Sequence, residues 1–331
     1  MRRIPLLLAV LLILAACSAA NTGGETTTTV VDTTTTQAPE TTTTTAAPTT
    51  TAEASAFPVT VETDTGQVTI EEEPDAIVSL STVATEILFA IGAGDQVIAV
   101  DDQSNYPDEA PMTDLSSFTP NVEAILSYEP DLVFISFDPG ELADSLEAAD
   151  VQVIMFGAAA TLEDTYHQIE ATGAVTGNPE EAREVNQSIR EGLEETTANA
   201  PEVEDGTTYF HEIDANLYTV TSNTFFGQIY SMFGLENIAD PADEDESADG
   251  YPQLSSEFVV SADPDLIFLA DSLYGESAET VAERPGWDVL TAVQENHVYE
   301  LDSDIASRWG PRIVDFARSI SEALEDYTAA G

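Results

Sequence analysis

From about residue 75 onward the chain alternates short apolar runs with segments of helical periodicity. The runs Ala76–Leu80, Val97–Val100, Leu132–Phe137, Val151–Met155, Thr207–Ile213, Leu266–Leu269 and Val298–Leu301 are rich in Val, Ile and Phe. They lack the in-out alternation of a half-exposed strand and predict strands buried on both faces. Helical patterns such as Ala84–Ile91 and Val122–Tyr128 fall between them. Buried strands interleaved with helices predict parallel sheets flanked by helices, an α/β fold.

The pattern repeats. Glu123-Ala-Ile-Leu-Ser-Tyr-Glu-Pro-Asp-Leu-Val-Phe-Ile135 aligns without gaps onto Glu257-Phe-Val-Val-Ser-Ala-Asp-Pro-Asp-Leu-Ile-Phe-Leu269, with Glu, Ser, Pro, Asp, Leu and Phe coinciding. Each copy reads as a helix, a Pro-Asp break and a buried strand. A weaker pair lies upstream, Ile87–Ala99 around Gly92 and Ile229–Ala239 around Gly234. Two matched pairs in one order predict two similar α/β lobes. Between them, Asn178-Pro179-Glu180-Glu181 reads as an N-cap followed by proline at the first helical position. Ala182, Val185, Ile189 and Leu193 continue at helical spacing to about Ala198, predicting one long linking helix and modest closure of the lobes.

The N-terminus follows another logic. Arg2 and Arg3, the apolar run Ile4–Leu14 and Ala15-Ala16 predict a signal peptide over 1–16, too short to span a bilayer. Leu14-Ala15-Ala16-Cys17 resembles the bacterial lipobox, which implies that Cys17 is lipidated; it is the chain's one cysteine and has no disulfide partner. Two acyl chains give stable anchoring where one is marginal. Threonine runs broken by Ala, Pro and Glu fill residues 22–51, and 17–56 is expected to be the lipidated cysteine and a disordered stalk. Extended at about 3.1 Å per residue, it would reach on the order of 100 Å. The remainder divides into an N-terminal lobe over 57–158, inter-lobe helices over 159–200, and a C-terminal lobe with a closing helix over 201–331.

Charge narrows the chemistry. The chain carries 62 acidic residues against 8 basic ones, all arginine, for a net charge of −54. Such a field repels nucleic acid and suits solubility in salty water. Without lysine there is no Walker A loop, Schiff base or pyridoxal site. His167, His211 and His297 are too scattered for a zinc motif, and no Gly-x-Ser-x-Gly elbow occurs. The stretch 243–250 contains Asp245-x-Ser-x-Asp249-Gly250, the front half of a calcium loop, but position twelve is Ser256. It reads as a solvated acidic loop.

Several segments together carry a family resemblance. Ile77-Val-Ser-Leu-Ser-Thr-Val-Ala-Thr-Glu-Ile-Leu-Phe-Ala-Ile-Gly-Ala-Gly94, Asn105-Tyr106-Pro107, Pro120-Asn121-Val122-Glu123, Glu129-Pro-Asp-Leu-Val133 and Arg308-Trp-Gly-Pro-Arg312 resemble the class III substrate-binding proteins of ABC importers, from about residue 75 to 331. The resemblance implies a monomeric protein without a cofactor. It would capture a metal chelate, cobalamin or a ferric siderophore, between two lobes and deliver it to a permease dimer with its ATPase. It would act at the outer face of the cytoplasmic membrane.

The resemblance further implies that Glu123 and Glu257, already paired by the repeat, dock into arginine pockets of the permease. Complementing a helix dipole is the competing role, worth about 0.3–1 kcal/mol. By similarity to the vitamin B12 protein, the cleft residues are Tyr106, Phe118, Tyr251, Asp304 and Arg308; Phe118 and Tyr251 stand where that protein has tryptophan. Arg312 is expected to form a structural salt bridge. A neutral corrinoid or neutral ferric hydroxamate suits a lysine-free chain better than an anionic catecholate, and cobalamin is favoured. The alternatives are an extracellular α/β enzyme, for which no nucleophile–base set is present, and a direct Zn/Mn binder, for which histidines should converge.

Overall fold

A computed structural model describes residues 57–330; the expected signal peptide, Cys17 and stalk over 1–56 lie outside the described residues. The first lobe holds a five-stranded, all-parallel sheet of order β5-β4-β3-β6-β7. Its strands are β3 (Ile77–Leu80), β4 (Val97–Asp101), β5 (Met112–Leu115), β6 (Leu132–Ile135) and β7 (Gln152–Met155). Helices α1 (Thr82–Ala90), α2 (Val122–Leu126) and α3 (Leu142–Glu147) make crossovers between them. A hairpin of β1 (Val59–Thr63) and β2 (Gly66–Ile70) precedes the sheet. The apolar runs did not predict it, nor β5, because these strands are short and partly exposed.

The second lobe repeats the design with a parallel sheet of order β11-β10-β8-β9. It comprises β8 (Thr208–Glu212), α6 (Phe225–Met232), β9 (Glu236–Asn237), α7 (Ser256–Ala262), β10 (Leu266–Leu269), α8 (Ala278–Ala282), α9 (Thr291–Gln294) and β11 (Val298–Glu300). Strands β8, β9, β10 and β11 occupy the positions of β3, β4, β6 and β7. The correspondence reaches single residues. Gly92 and Gly234, after α1 and α6, both adopt positive φ (+81° and +76°), as do Glu129 and Asp263 before the Pro-Asp breaks (+55° and +48°). Asp131 Oδ2 then accepts from the backbone N–H groups of Asp75 and Ala76 at 3.0 Å, at the start of β3. Asp265 Oδ2 does the same for Thr208 at 2.8 Å, at the start of β8.

Continuous apolar strands are used on both faces. In β6, Leu132 and Phe134 enter a central core while Val133 and Ile135 enter an outer one under α2 and α3. In β10, Leu266 and Phe268 join that same central core while Ile267 and Leu269 pack beneath Trp287. The central core continues through α4 (Leu162–Val175), α5 (Pro179–Asn199) and α10 (Ile313–Ala330). The linker is therefore a packed helix group. Gly173 lets α4 approach α5, since a Cβ there would lie 2.4 Å from Ala182 Cβ. Pro179 stands at the start of α5 as expected, but Asn178 does not cap it: its Nδ2 donates instead to Thr176 O at 2.8 Å.

Candidate ligand-binding site

In parallel sheets the loops that follow the strands converge at one edge, and ligands bind there. A cavity of about 400 Å³ occupies this edge of the second lobe. His211, Ile213, Ala270 and Ser303 line it from the ends of β8, β10 and β11; Ala158 contributes from the segment after β7, and Phe226, Tyr251, Tyr274 and Trp309 supply aromatic walls. Other rings are exposed on loops that follow strands: Tyr274, on the cavity wall, is 83% and Phe118 67% exposed, and Tyr106 and Phe137 also face solvent on loops after β4 and β6. On the cavity floor, His211 Nδ1 lies 2.9 Å from the Tyr230 hydroxyl. Burial lowers the His211 pKa to about 3, so the ring is neutral at physiological pH.

The residues expected from sequence divide into three groups. Tyr251 and Asp304 line the cavity. The 250–254 segment runs antiparallel to 217–221, through Thr221 N–H to Gly250 O at 2.8 Å and Leu254 N–H to Leu217 O at 3.0 Å, and so holds Tyr251 in place. Asp302 Oδ1 accepts from the N–H groups of Asp304 and Ile305, starting the turn that presents Asp304.

Arg308 and Tyr106 belong to an adjoining ionic knot. Arg308 is buried, donating to Glu86 Oε1 and Asp304 Oδ1, each at 2.8 Å. Arg312 donates to the same glutamate, from Nη2 to Oε1 at 2.6 Å and from Nε to Oε2 at 3.0 Å. Its guanidinium also lies 4.1 Å from the Tyr106 ring centroid, and Asn105 Nδ2 donates to Asp304 Oδ2 at 2.8 Å. The knot ties α1 and the loop after β4 to the segment after β11. Phe118 lies in neither group; its ring stands 5.6 Å from that of Phe137.

Sequence reasoning missed Glu86, His211, Leu273, Tyr274 and Phe137. An acid among apolar residues of a helical pattern was the available signal for Glu86. The others resemble ordinary strand or loop residues.

The positive charge is fully committed. Among the described residues every arginine is ion-paired: Arg183 with Glu180, Arg190 with Glu163, Arg284 with Glu212 and Glu276, Arg308 with Glu86 and Asp304, Arg312 with Glu86, and Arg318 with Asp315.

Glu123 is the second residue of α2 and Glu257 the second of α7, and both are exposed. The caps match too: Asn121 Oδ1 accepts from Ala124 N–H at 3.1 Å and Ser255 Oγ from Phe258 N–H at 3.2 Å. In the acidic loop, Asp243 is turned inward, accepting from Ala248 and Gly250 N–H at 2.8 Å each. Among the described residues, no three His, Cys, Asp or Glu side chains are grouped to hold a metal ion. Nor is any described helix long and apolar enough to cross a membrane.

Two parallel-sheet lobes hinged by packed helices, with an aromatic cavity at the strand ends, define a two-lobed solute-binding architecture. The chain belongs to the periplasmic binding protein family, whose sequence profile matches residues 77–305. It is 30% identical over 278 residues to the uncharacterized ABC transporter substrate-binding lipoprotein YvrC of Bacillus subtilis, covering 81% of this chain and 86% of that one. It is 29% identical over 290 residues to a cobalamin-binding protein of Halobacterium salinarum, covering 83% and 76% of the two chains. Among solved structures, the periplasmic vitamin B12 binding protein BtuF of Vibrio cholerae matches with a TM-score of 0.60 and 26% identity, covering 77% of this chain and 98% of that one. The periplasmic heme-binding protein RhuT of Roseiflexus sp. RS-1 shares the fold, with a TM-score of 0.66 and 22% identity over 78% of this chain and 99% of that one.

Proposed function

We propose that this chain is the lipid-anchored receptor of an ABC importer, and that it captures a neutral metal chelate of the corrinoid type between its lobes. The observation that carries the reading is an aromatic-walled cavity of about 400 Å³ beside arginines that are all engaged elsewhere. Flat rings suit a large, partly apolar chelate, while Asp304 and Ser303 offer a few polar contacts. Ferric catecholates and carboxylate-bearing porphyrins are anionic and need cations around them. A corrinoid with an amide rim does not, and relatives named as cobalamin and vitamin B12 binders favour it. Arg308 serves this site by orienting Asp304 rather than by meeting the cargo's charge.

Delivery rests on Glu123 and Glu257, exposed carboxylates at equivalent positions of the two lobes. A two-fold permease requires such a pair. The lobes extend over 57–158 and 201–331, joined by the helices of 159–200, and Cys17 tethers them to the outer face of the cytoplasmic membrane through the threonine-rich stalk. The tether raises the receptor's concentration beside its permease and ATPase.

Two experiments test the reading. Titrating the Trp309 fluorescence should give saturable quenching by cyanocobalamin and none by hemin or a ferric catecholate. Saturation only by an anionic chelate overturns the corrinoid reading, and saturation by no chelate overturns the binding function. Glu123→Ala combined with Glu257→Ala should abolish uptake while leaving chelate affinity intact; lost affinity with normal uptake contradicts docking.

A further inference from the structure

A second cavity, of about 570 Å³, is lined by Glu202, Glu204, Glu295, His297, Tyr327 and Thr328. It lies at the other end of the same sheet. Glu204 leads into β8 and His297 into β11, whereas the ligand cavity lies past the ends of those strands. Tyr327 and Thr328 come from the last turn of α10.

His297 is the informative residue. It is 3% exposed, and neither ring nitrogen has a hydrogen-bond partner. A neutral imidazole has one donor and one acceptor, and leaving both idle in a buried site is unfavourable. The backbone at this position is fixed, its N–H donating to Ala292 O at 2.7 Å and its carbonyl accepting from Ile267 N–H at 3.0 Å. Tyr327 also holds it edge-on at 4.8 Å between centroids.

Around this ring the charge is negative. Glu295 Oε2 stands 3.9 Å from Nδ1, and Glu202 and Glu204 are exposed on the cavity wall. Burial, and then Asp265, Glu204 and Glu295, push the Tyr327 phenol above its ordinary range. Every described arginine is paired elsewhere, so this wall has no protein counter-charge.

We infer that this cavity binds a small linear polyamine. Several carboxylates spread along one wall match several ammonium groups, and an ammonium group offers a hydrogen-bond partner to the unpartnered His297 ring. The Tyr327 ring offers a face to the cation and to its methylene spacers. A bare metal ion fits less well: the cavity has the volume of an organic ligand, and among the described residues no third protein ligand joins His297 and Glu295. The ligand would clasp the end of α10 to the strand starts of the second lobe, independently of the chelate site.

Calorimetric titration of the full chain with spermidine, at about 0.3 M salt where screening suppresses diffuse attraction, tests this. One-site saturable binding is expected. Glu204→Gln and Glu295→Gln should each weaken it roughly tenfold, as for loss of a charge-assisted hydrogen bond. Glu147→Gln, on the exposed side of α3, should not change it. Cyanocobalamin affinity should stay the same in all three variants, which separates this result from any failure of the chelate reading. Weak binding lowered equally by all three substitutions would be diffuse attraction to an acidic surface and would overturn the proposal. Stoichiometric Zn²⁺ binding that spermidine cannot displace would overturn it too.

Discussion

Glu86→Gln tests whether the ionic knot holds the lobes together by charge. Glu86 is 2% exposed and accepts three hydrogen bonds from two guanidinium groups. The substitution keeps the side-chain volume, so it leaves no cavity and reports the lost charge. Arg308 and Arg312, with side chains 8% and 16% exposed, would then face each other with Asp304, the Gln103 carbonyl, the charge of Asp302 and the Tyr106 ring as counterweights. Removing one member of a buried ionic group costs about 3–5 kcal/mol, because the remaining charges stay desolvated. Asp304 keeps part of the compensation, so the lower half of that range applies. At about 2–4 °C per kcal/mol for a domain of this size, Tm should fall by about 10 °C. Calorimetry, with urea unfolding as a check, would measure it. Replacing the whole group instead, as Glu86→Leu with Arg308→Met and Arg312→Leu, should restore most of the loss, since a fully apolar replacement removes the stranded charges. A Tm loss below about 2 °C in Glu86→Gln, or a triple variant weaker than the single one, would refute the reasoning.

Two further outcomes follow from particular residues. Folding lowers the His211 pKa from 6.5 to about 3, so its contribution is complete above the unfolded value and is lost as pH falls, by on the order of 3 kcal/mol near pH 4. His211→Phe should therefore lose less stability than the wild type between pH 7.5 and 4 in urea unfolding, and equal losses would contradict the assignment. Gly227→Ala would bring a Cβ within 2.0 Å of Thr221 O and 2.6 Å of Ser222 Cα. It should destabilise by about 3 kcal/mol despite alanine's helix propensity, and an unchanged Tm would show that the turn before α6 yields.

The strands that lie deep in each sheet were legible because both faces are buried, so apolar residues run unbroken through Leu132–Ile135 and Leu266–Leu269 and are interrupted only by Ser79 in Ile77–Leu80. The repeat was legible because one backbone solution is used twice, down to the left-handed residue before each Pro-Asp break. The edge strands β5 and β9 were not. Met112–Leu115 buries only one of its four residues and β9 has only two residues, so neither needs an apolar run. The ionic knot was hidden for another reason. Glu86 meets Arg308 and Arg312 across 222 and 226 residues, and no local pattern carries information about such a pair. Tyr251 and Asp304 were reached through resemblance, while Leu273 and Tyr274 resemble core residues until the fold leaves them in the open.

The distribution of positive charge bears directly on cargo selection. A chain with 62 acidic side chains could attract an anionic chelate only through cations held free at the cleft. Its arginines are instead spent on structure: one pair with Glu86 joins the lobes, and Arg284 steadies the buried Glu212 at the end of β8. On the proposed reading, selection then falls to shape and to aromatic area, which Tyr251, Phe226, Tyr274 and Trp309 supply around the cavity. Binding of that kind depends little on Coulomb attraction, so salt that screens the acidic shell leaves it standing. An acidic receptor can thus work in concentrated salt, provided its cargo carries little net charge. On the proposed reading, the acidity of the surface and the neutrality of the ligand are two consequences of one allocation of charge.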